Sequence, residues 1–337
     1  MIISPLLNIS DELADDTVLY RTIDFFGATS IISNQSFMFT RADAFSDPNE
    51  GIERLLLQLE AGPIGCGGMG WTDSLTAKEH HERIKKSYYI SCWSRNPESV
   101  AMWSLYSQDY CSVRIATTVG KLKQVVNNLL DKYCLRNLSE SDIGQKKIVS
   151  VEGGIKPVTY ACLHNLSSKV SRRLKAYKRI EARYLRKGID KPTLDEVNPR
   201  YWEREEQRNI KELQTNCNLK DNSFKHEDEV RLSVRLAEAN CDDNLLKLRE
   251  YYDPNNKYHS IMKRRLKSHE FGIKLASFDR EYVKCPENLV SSVALDPRCP
   301  PHKALFIKNW FREQNIPIIE SMCFGYLPNY FDVFPEK

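Results

Sequence analysis

The sequence predicts an α+β fold, in which one mixed and curved β-sheet is flanked by helices. Short runs of β-branched and aromatic residues, typical of strands, are separated by stretches with apolar residues at helical spacing. The two kinds of element do not alternate regularly, as they would in a doubly wound parallel sheet. Residues 165–220 are mostly helical and rich in charge. We therefore expect a single domain over residues 1–337 with a charged helical insertion at 165–220.

The first part of the chain starts the sheet. Residues 18–22 and 37–40 are rich in β-branched and aromatic side chains and predict strands. Between them, apolar residues at helical spacing predict a helix over residues 23–34. Pro48 is suited to the first turn of a helix, and we expect the next helix over residues 49–60.

The most informative stretch is residues 87–117, where a strand, a helix and a strand follow one another without spare residues. An aromatic and β-branched run predicts a buried strand over residues 87–93. Residues 94–97 have the composition of a turn, and alternation over residues 111–116 predicts the second strand. A connection this short brings the two strand ends and the helix close together.

Two hydroxyls and two aromatic side chains fall at this junction. We expect Ser91, Ser94, Trp103 and Tyr106 to lie near one strand end and to line a ligand cleft. The alternative is that Trp103 and Tyr106, which share one helix face, simply belong to the core.

The remaining elements are spread over the rest of the chain. Strands are expected at residues 147–151, 156–160, 229–236, 271–275 and 289–295, helices at 119–137 and 302–314, and a last strand at 317–320.

The composition is that of an ordinary globular protein. Charged residues make up 28% and hydrophobic residues 41%, and the net charge of +4 is too small to imply nucleic-acid binding by itself. The ten cysteines include no C-x-x-C pair, which argues against a zinc ribbon or a redox dithiol. The first sixteen residues lack a basic n-region, and no apolar run is long enough for a membrane span, so we expect neither a secretory leader nor a transmembrane helix. We expect a soluble cytoplasmic protein with reduced thiols and no membrane contact.

Two patterns that could indicate a dinucleotide site or a metal site are not supported by the residues around them. Residues 65–70 match G-x-G-x-x-G, but a Leu-rich helical pattern precedes them, whereas a dinucleotide fingerprint follows a strand. His80 and His81 are adjacent, so they do not face one site on a helix. We therefore predict a flexible loop at residues 65–70 and no metal site.

A strongly basic helix is predicted within the insertion. One interpretation is a solvated helix that docks through an apolar stripe, with its charges neutralised by the glutamates at residues 203–212. The other is a surface that follows the phosphates of a nucleic acid. Its cations are Lys169, Arg172, Arg173, Lys175, Lys178, Arg179, Arg183, Arg186 and Lys187.

Residues 227–231, E-D-E-V-R, carry the strongest chemical signal. In a strand, Glu227, Glu229 and Arg231 would share one face, opposite the core. Two carboxylates one pleat apart repel each other, which would keep one acid available for proton or cation chemistry. The alternative is a solvent-facing edge with a Glu229–Arg231 or cross-strand ion pair.

Four segments in order resemble the family of the domain of unknown function 2971. The stretch C-W-S … M-W-S-L-Y at residues 92–106 is similar to its C-F-S … M-W-x-x-Y block. L-Y-R at residues 19–21, F-S-D-P-N-E at residues 45–50 and F-K-H-E-D-E-V-R at residues 224–231 resemble its other motifs. Ser46, Asn49 and Phe224 depart from them. The resemblance carries no established activity, so function must be argued from the site.

A weaker similarity connects the chain to NAD-consuming ADP-ribosyltransferases. An N-terminal strand with an Arg, a strand with Ser and a late Glu-x-Glu appear here in the order of that fold, although the serines are spaced S-x-x-S. The resemblance implies that Arg21 holds the pyrophosphate and that the Ser91–Ser94 strand braces the nicotinamide ribose. It implies that Glu229 stabilises the oxocarbenium and that Glu227 orients the acceptor.

NAD would then be the substrate of a glycosyl-transfer or hydrolysis enzyme that needs no metal. We expect Tyr20, Trp103 and Tyr106 to line its binding cleft, with Asp47 and Glu50 at the rim. Two hypotheses from other classes stay open: a non-catalytic module that binds a nucleotide in the aromatic cleft, and a nucleic-acid-associated protein that acts through the basic helix.

Overall fold

A computed structural model of the chain describes residues 4, 6–53, 55–56, 81–82, 84–188, 217–248 and 278–325. The predicted class is confirmed, because the described residues form a mixed sheet flanked by helices. The helices are α1 (Phe25–Ser33), α2 (Val100–Tyr106), α3 (Val119–Lys132), α4 (Leu163–Leu185), α5 (Asp243–Leu248) and α6 (Pro301–Glu313). The strands are β1 (Leu7–Ile9), β2 (Val18–Ile23), β3 (Ser36–Arg41), β4 (Tyr88–Ser94), β5 (Val113–Thr118), β6 (Lys146–Pro157), β7 (Thr159–Ala161), β8 (Leu219–Asp221), β9 (Glu229–Asn240), β10 (Arg280–Lys284) and β11 (Ser292–Leu295).

The main sheet has nine strands in the order β1-β6-β9-β4-β2-β5-β11, with β3 paired to β4 and to β10. It is mixed because β1 runs parallel to β6, whereas β6–β9, β2–β5 and β5–β11 are antiparallel. The three strands that carry the predicted site, β2, β4 and β9, are therefore neighbours in the middle of the sheet.

The chain divides into two compact units. Unit 1 comprises Met1–Thr40, Tyr89–Pro157 and His226–Lys337, and unit 2 comprises Arg41–Tyr88 and Val158–Lys225. The predicted insertion at residues 165–220 falls within unit 2, and its residues 189–216 lie outside the described part of the chain. The single domain with an insertion stays a prediction.

The core of unit 1 forms where α3 packs on the sheet. Its apolar stripe, which includes Leu122, Val126 and Leu130, is fully buried. The alternation predicted for residues 229–236 is confirmed, because Val230 and Leu232 are buried in the same cluster. Burial of such side chains contributes about 1.5–3 kcal/mol each, so this packing fixes the position of β9.

Two sequence predictions at β6 and α3 are wrong in detail. Residues 147–160 do not form two strands around the glycines, because β6 runs through them as one strand with a bulge near Ser150. Gly153 is needed there, since a Cβ at this position would lie 2.8 Å from Leu130 Cδ1. The predicted helix over residues 119–137 ends at Lys132 and is followed by a short 3-10 turn.

The last predicted elements are shorter than expected or lie elsewhere. Residues 317–320 make only an isolated bridge from Ile318 to Val293. The strand predicted over residues 289–295 is confined to β11, and α6 agrees with its prediction to within one residue. The strand predicted over residues 271–275 and the loop over residues 65–70 lie outside the described residues.

Unit 2 contains α4 and the parallel pair β7–β8. Leu166 and Val170 of α4 are buried with Leu56 and Leu219 in a small core. The apolar side of the predicted basic helix is therefore confirmed where it is described. None of the helices in the described ranges is both long and apolar enough to cross a membrane.

Candidate functional site

The candidate site begins where β2 and β4 stop pairing. The two strands pair at Tyr20 and Ser94 alone, although β2 continues to Ile23 and pairs with β5 along its whole length. A strand has two hydrogen-bonding edges, and β4 has three partners, β2, β3 and β9. Two of these partners must therefore share one edge of β4, which explains why the β2 pairing is so short.

Arg21 bridges the two strands just beyond their last pair. Its Nη1 donates to Ser91 Oγ at 2.9 Å, and the same oxygen accepts from Trp93 Nε1 at 3.2 Å. Burial lowers the pKa of Arg21, and the nearby Cys92, Asp24 and Tyr106 oppose this change. Within the described residues, no carboxylate lies within ion-pair distance of its guanidinium. The predicted association of Arg21 with the Ser-bearing strand is thus present.

Ser94 joins β4 to the segment that precedes β9. Its Oγ donates to the Glu227 carbonyl at 2.6 Å and accepts from the Asn96 amide at 2.9 Å. The two serines of the S-x-x-S spacing therefore have different tasks. Ser91 contacts a cationic side chain, whereas Ser94 fixes backbone.

Glu227 lies before β9, which begins at Glu229 as predicted, so Glu227 does not share a strand face with Glu229 and Arg231 as the sequence interpretation held. It ends a 3-10 helix over Asn222–Glu227, and Asp228 has a left-handed backbone with φ of 40°, so β9 begins at Glu229. Glu227 is buried, and its Oε1 accepts from Tyr106 Oη at 3.0 Å. Tyr106 itself is 47% exposed. The pair therefore joins a buried acid to a hydroxyl on an accessible residue.

Glu229 and Arg231 form a buried ion pair on one face of β9. Arg231 Nε lies 2.7 Å from Glu229 Oε1, and the side chains are 1% and 3% exposed. The alternative of a solvent-facing edge is wrong for this reason, although the ion pair that it named is present. That Glu229 and Arg21 converge on one cleft stays a prediction.

The aromatic cleft is smaller than the sequence suggested. Trp103 is 1% exposed and lines, with Tyr20, Ser94 and Arg114, a pocket of about 10 Å³. A pocket of this volume holds about one water molecule. Trp103 is therefore mainly a core residue, as the alternative interpretation held, and only Tyr106 of the two predicted aromatic residues is open to solvent.

Asp47 and Glu50 belong to unit 2. The Asp47 carboxylate accepts from the Asn49 amide at 2.8 Å, and Glu50 is buried. Their predicted place at the rim of the site stays a prediction. Among the residues that the structure describes, no group of three or more His, Cys, Asp or Glu side chains could hold a metal ion.

Sequence reasoning missed Arg114. It alternates with Val113 and Ile115 in β5, and its side chain is 10% exposed and lies over the Tyr20 ring at 5.3 Å. The available signal was an arginine within a strand whose flanking residues are all apolar or small.

The exposed cations of α4 lie on one side of the helix. Lys169, Arg172, Lys175, Arg179 and Arg183 are all exposed, and their spacing of three and four residues confines them to an arc of about 120° over about 21 Å. Leu166 and Val170 point to the opposite side, into the core of unit 2. The side chains of Arg173 and Lys178 lie outside the described part, and Arg186 and Lys187 follow the end of the helix.

One family model matches part of the chain. Residues 102–232 match the model described as a protein of unknown function, DUF2971. The match covers less than half of the chain. The segment includes Tyr106, Arg114, Glu227 and Glu229, whereas the motifs around Tyr20 and Asp47 that also resemble this family lie outside the match.

No curated protein and no solved structure matches the chain. The comparisons therefore give no support to the similarity to ADP-ribosyltransferases, which stays a hypothesis about the site.

Proposed function

We propose that unit 1 binds NAD at the Arg21–Ser91 pair and hydrolyses or transfers its ADP-ribosyl group. The observation that carries the proposal is the half-buried Arg21 guanidinium, which contacts a serine hydroxyl and no described carboxylate. A guanidinium removed from water without a counter-charge favours an anionic ligand, and its planar fork suits a diphosphate. The diphosphate of NAD would supply that charge.

The two acids Glu227 and Glu229 suit cleavage of the bond between nicotinamide and ribose. When this bond breaks, its electron pair goes to the nicotinamide ring nitrogen, and positive charge develops at C1′ of the ribose. An acceptor, either water or a nucleophile on another molecule, then bonds to C1′ and loses a proton. A carboxylate held in place stabilises the charge that develops only in the transition state.

Glu229 and Glu227 are suited to different roles, the first to stabilising the charge at C1′ and the second to contacting the acceptor. The ion pair with Arg231 favours the ionised form of Glu229, as the electrostatic role requires. Glu227 is hydrogen-bonded to the accessible Tyr106, which suits a residue that orients the acceptor. We assign the charge stabilisation to Glu229 and the acceptor contact to Glu227 and Tyr106.

The test is release of nicotinamide from NAD, followed by chromatography. We expect turnover by the wild type and a KM for NAD at least about tenfold higher in Arg21→Ala, because a diphosphate contact is similar in ground and transition states. Arg136→Ala, which alters a more exposed arginine of the same unit, is the matched control and should leave the KM unchanged.

If the wild type releases no nicotinamide but still binds NAD through Arg21 in calorimetry, unit 1 is a nucleotide-binding module without catalysis. If it neither cleaves nor binds NAD, the proposal is wrong.

A second candidate function is favoured by the cations of α4. We propose that this exposed stripe binds the phosphate backbone of nucleic acid, because its charges share one face and, in the described part of the chain, lie within ion-pair distance of no carboxylate. A docked amphipathic helix also places its polar residues opposite its apolar stripe, so the proposal depends on the sign of the charges: the described exposed side chains of α4 include five cations and no carboxylate.

The salt dependence of binding tests this second function. For a 20-base-pair DNA duplex we expect log K to fall with log[salt], with a slope of about −0.9 for each phosphate neutralised. Replacing the five exposed cations of α4 by Ala should reduce the slope by about 4.5 units if each of them neutralises one phosphate. Five Ala changes at Lys121, Lys123, Lys132, Lys146 and Lys147 of unit 1 are the control, and an equal loss in both variants would contradict the proposal.

A further inference from the structure

The Glu98 carboxylate accepts from three donors that come from two separate segments of unit 1. Arg114 Nη1 lies 2.5 Å from its Oε1. The Ser321 hydroxyl and the Cys323 thiol donate to Oε2 at 2.7 Å and 2.9 Å. A guanidinium, a hydroxyl and a thiol thus converge on one anionic group.

Two of the donors, Arg114 and Ser321, are more buried than the carboxylate that they hold. The Arg114 side chain is 10% exposed, lies over the Tyr20 ring and also donates to the Pro97 carbonyl. Ser321 is buried, and burial together with the bond to Glu98 raises the pKa of the Cys323 thiol, which stays a neutral donor. The Glu98 side chain is 34% exposed on the connection between β4 and α2, so it can turn outward without opening the core.

We propose that Arg114, Ser321 and Cys323 form a binding site for a phosphate group, which Glu98 occupies in this structure as an internal competitor. Charge-assisted donors on one planar guanidinium suit phosphate oxygens, and the hydroxyl and thiol add two more donors. Withdrawal of Glu98 would leave Arg114 buried without its carboxylate, and an arriving phosphate restores the lost charge pair. The site is separate from the Arg21–Ser91 contact and does not rest on NAD cleavage.

Removal of the competitor tests the proposal by calorimetry with inorganic phosphate in a phosphate-free buffer. We expect Glu98→Ala to bind phosphate at least about tenfold more tightly than the wild type, because the ligand no longer displaces a charged group. The double variant Glu98→Ala/Ser321→Ala should lose most of this gain, because one of the donors to the phosphate is missing. If Glu98→Ala does not fold, Glu98→Gln keeps the shape, removes the charge and is held to the same criterion.

Asp131→Ala is the matched control. Asp131 pairs with Arg136 at 3.4 Å, on side chains that are both more exposed than Arg114, and its removal should produce no phosphate site. An equal gain in Asp131→Ala, or phosphate affinity in Glu98→Ala no higher than in the wild type, would overturn the proposal and leave Glu98–Arg114 as a structural ion pair.

The source of the phosphate group is resolved by a second ligand. AMP presents the same group attached to a nucleoside. Tighter binding of AMP than of inorganic phosphate, seen in Glu98→Ala and kept in Glu98→Ala/Arg21→Ala, assigns the site to nucleotides, and equal affinity of the two ligands assigns it to the free anion.

Discussion

The Glu229–Arg231 pair shows why a motif and its chemistry are separate questions at the scale of single residues. The spacing E-x-E-x-R was compatible with a free acid or with a surface ion pair. The structure gives an ion pair that is buried on both sides. Two charges taken out of water cost several kcal/mol each, and their attraction offsets this cost only while both partners remain.

Loss of one partner of the Glu229–Arg231 pair should therefore lower the free energy of unfolding. We expect Glu229→Gln to lower the free energy of unfolding by about 3–5 kcal/mol, because the Arg231 charge stays buried. The double variant Glu229→Gln/Arg231→Met, which removes both charges, should recover most of this loss in urea denaturation. If the single variant is as stable as the wild type, the pair is not buried in solution and the electrostatic role of Glu229 has to be reconsidered.

The sequence predicted some of the contacts around the candidate site and not others, for definite reasons. Arg21 and Ser91 could be predicted, because they stand on strong strand patterns. Glu227 was predicted to share a strand face with Glu229 but ends a 3-10 helix. The left-handed backbone of Asp228, which separates the two residues, cannot be predicted from the composition. Glu98 and Ser321 could not be predicted as neighbours, because more than two hundred residues separate them along the chain.

At the scale of elements, the glycines of β6 show how packing overrides a local pattern. Two adjacent glycines suggest a turn between strands. Here Gly153 continues the strand, because Leu130 of α3 fills the space that a Cβ at this position would need. A Cβ at Gly154 would have no described atom closer than 3.4 Å. Only the neighbouring helix decides between the two outcomes, and the sequence does not show where that helix lies.

This difference predicts unequal effects of two similar substitutions. Gly153→Ala should destabilise the protein by about 1–3 kcal/mol, since its Cβ would overlap Leu130 in a filled core. Gly154→Ala is the control and should change stability much less. Denaturation curves of the two variants check this, and an equal effect of both would contradict the packing of α3 on β6.

The strand β10 ends next to the buried thiol of Cys285, which makes the stability of the protein depend on pH. Burial raises the pKa of Cys285 from 9.0 to about 11. The unfolded chain therefore releases this proton at lower pH than the folded chain, and the contribution to stability is present below pH 9 and is lost as the pH rises toward 11. The free energy of unfolding should fall more steeply over this range in the wild type than in Cys285→Ala. Parallel curves for the two proteins would show that the thiol is not buried in solution.

For the whole molecule, the class of the fold was predictable and the division into units was not. Strand patterns at residues 18–22, 87–93, 111–116 and 229–236 are local, and each is confirmed as a strand of the main sheet. The strand order depends on long-range pairing, such as β9 beside β4, which periodicity does not encode. The same holds for the site, whose parts come from β2, β4, α2 and the start of β9.

The central proposal is that unit 1 cleaves NAD and that Glu229 is the charge that stabilises the transition state. The measurement that tests it most directly is the rate of nicotinamide release by the wild type and by Glu229→Gln/Arg231→Met, with the folded state of both checked by thermal unfolding. We expect turnover by the wild type and a loss of about two to three orders of magnitude in the folded double variant. Equal rates in the two proteins, or no release by the wild type, would contradict the account.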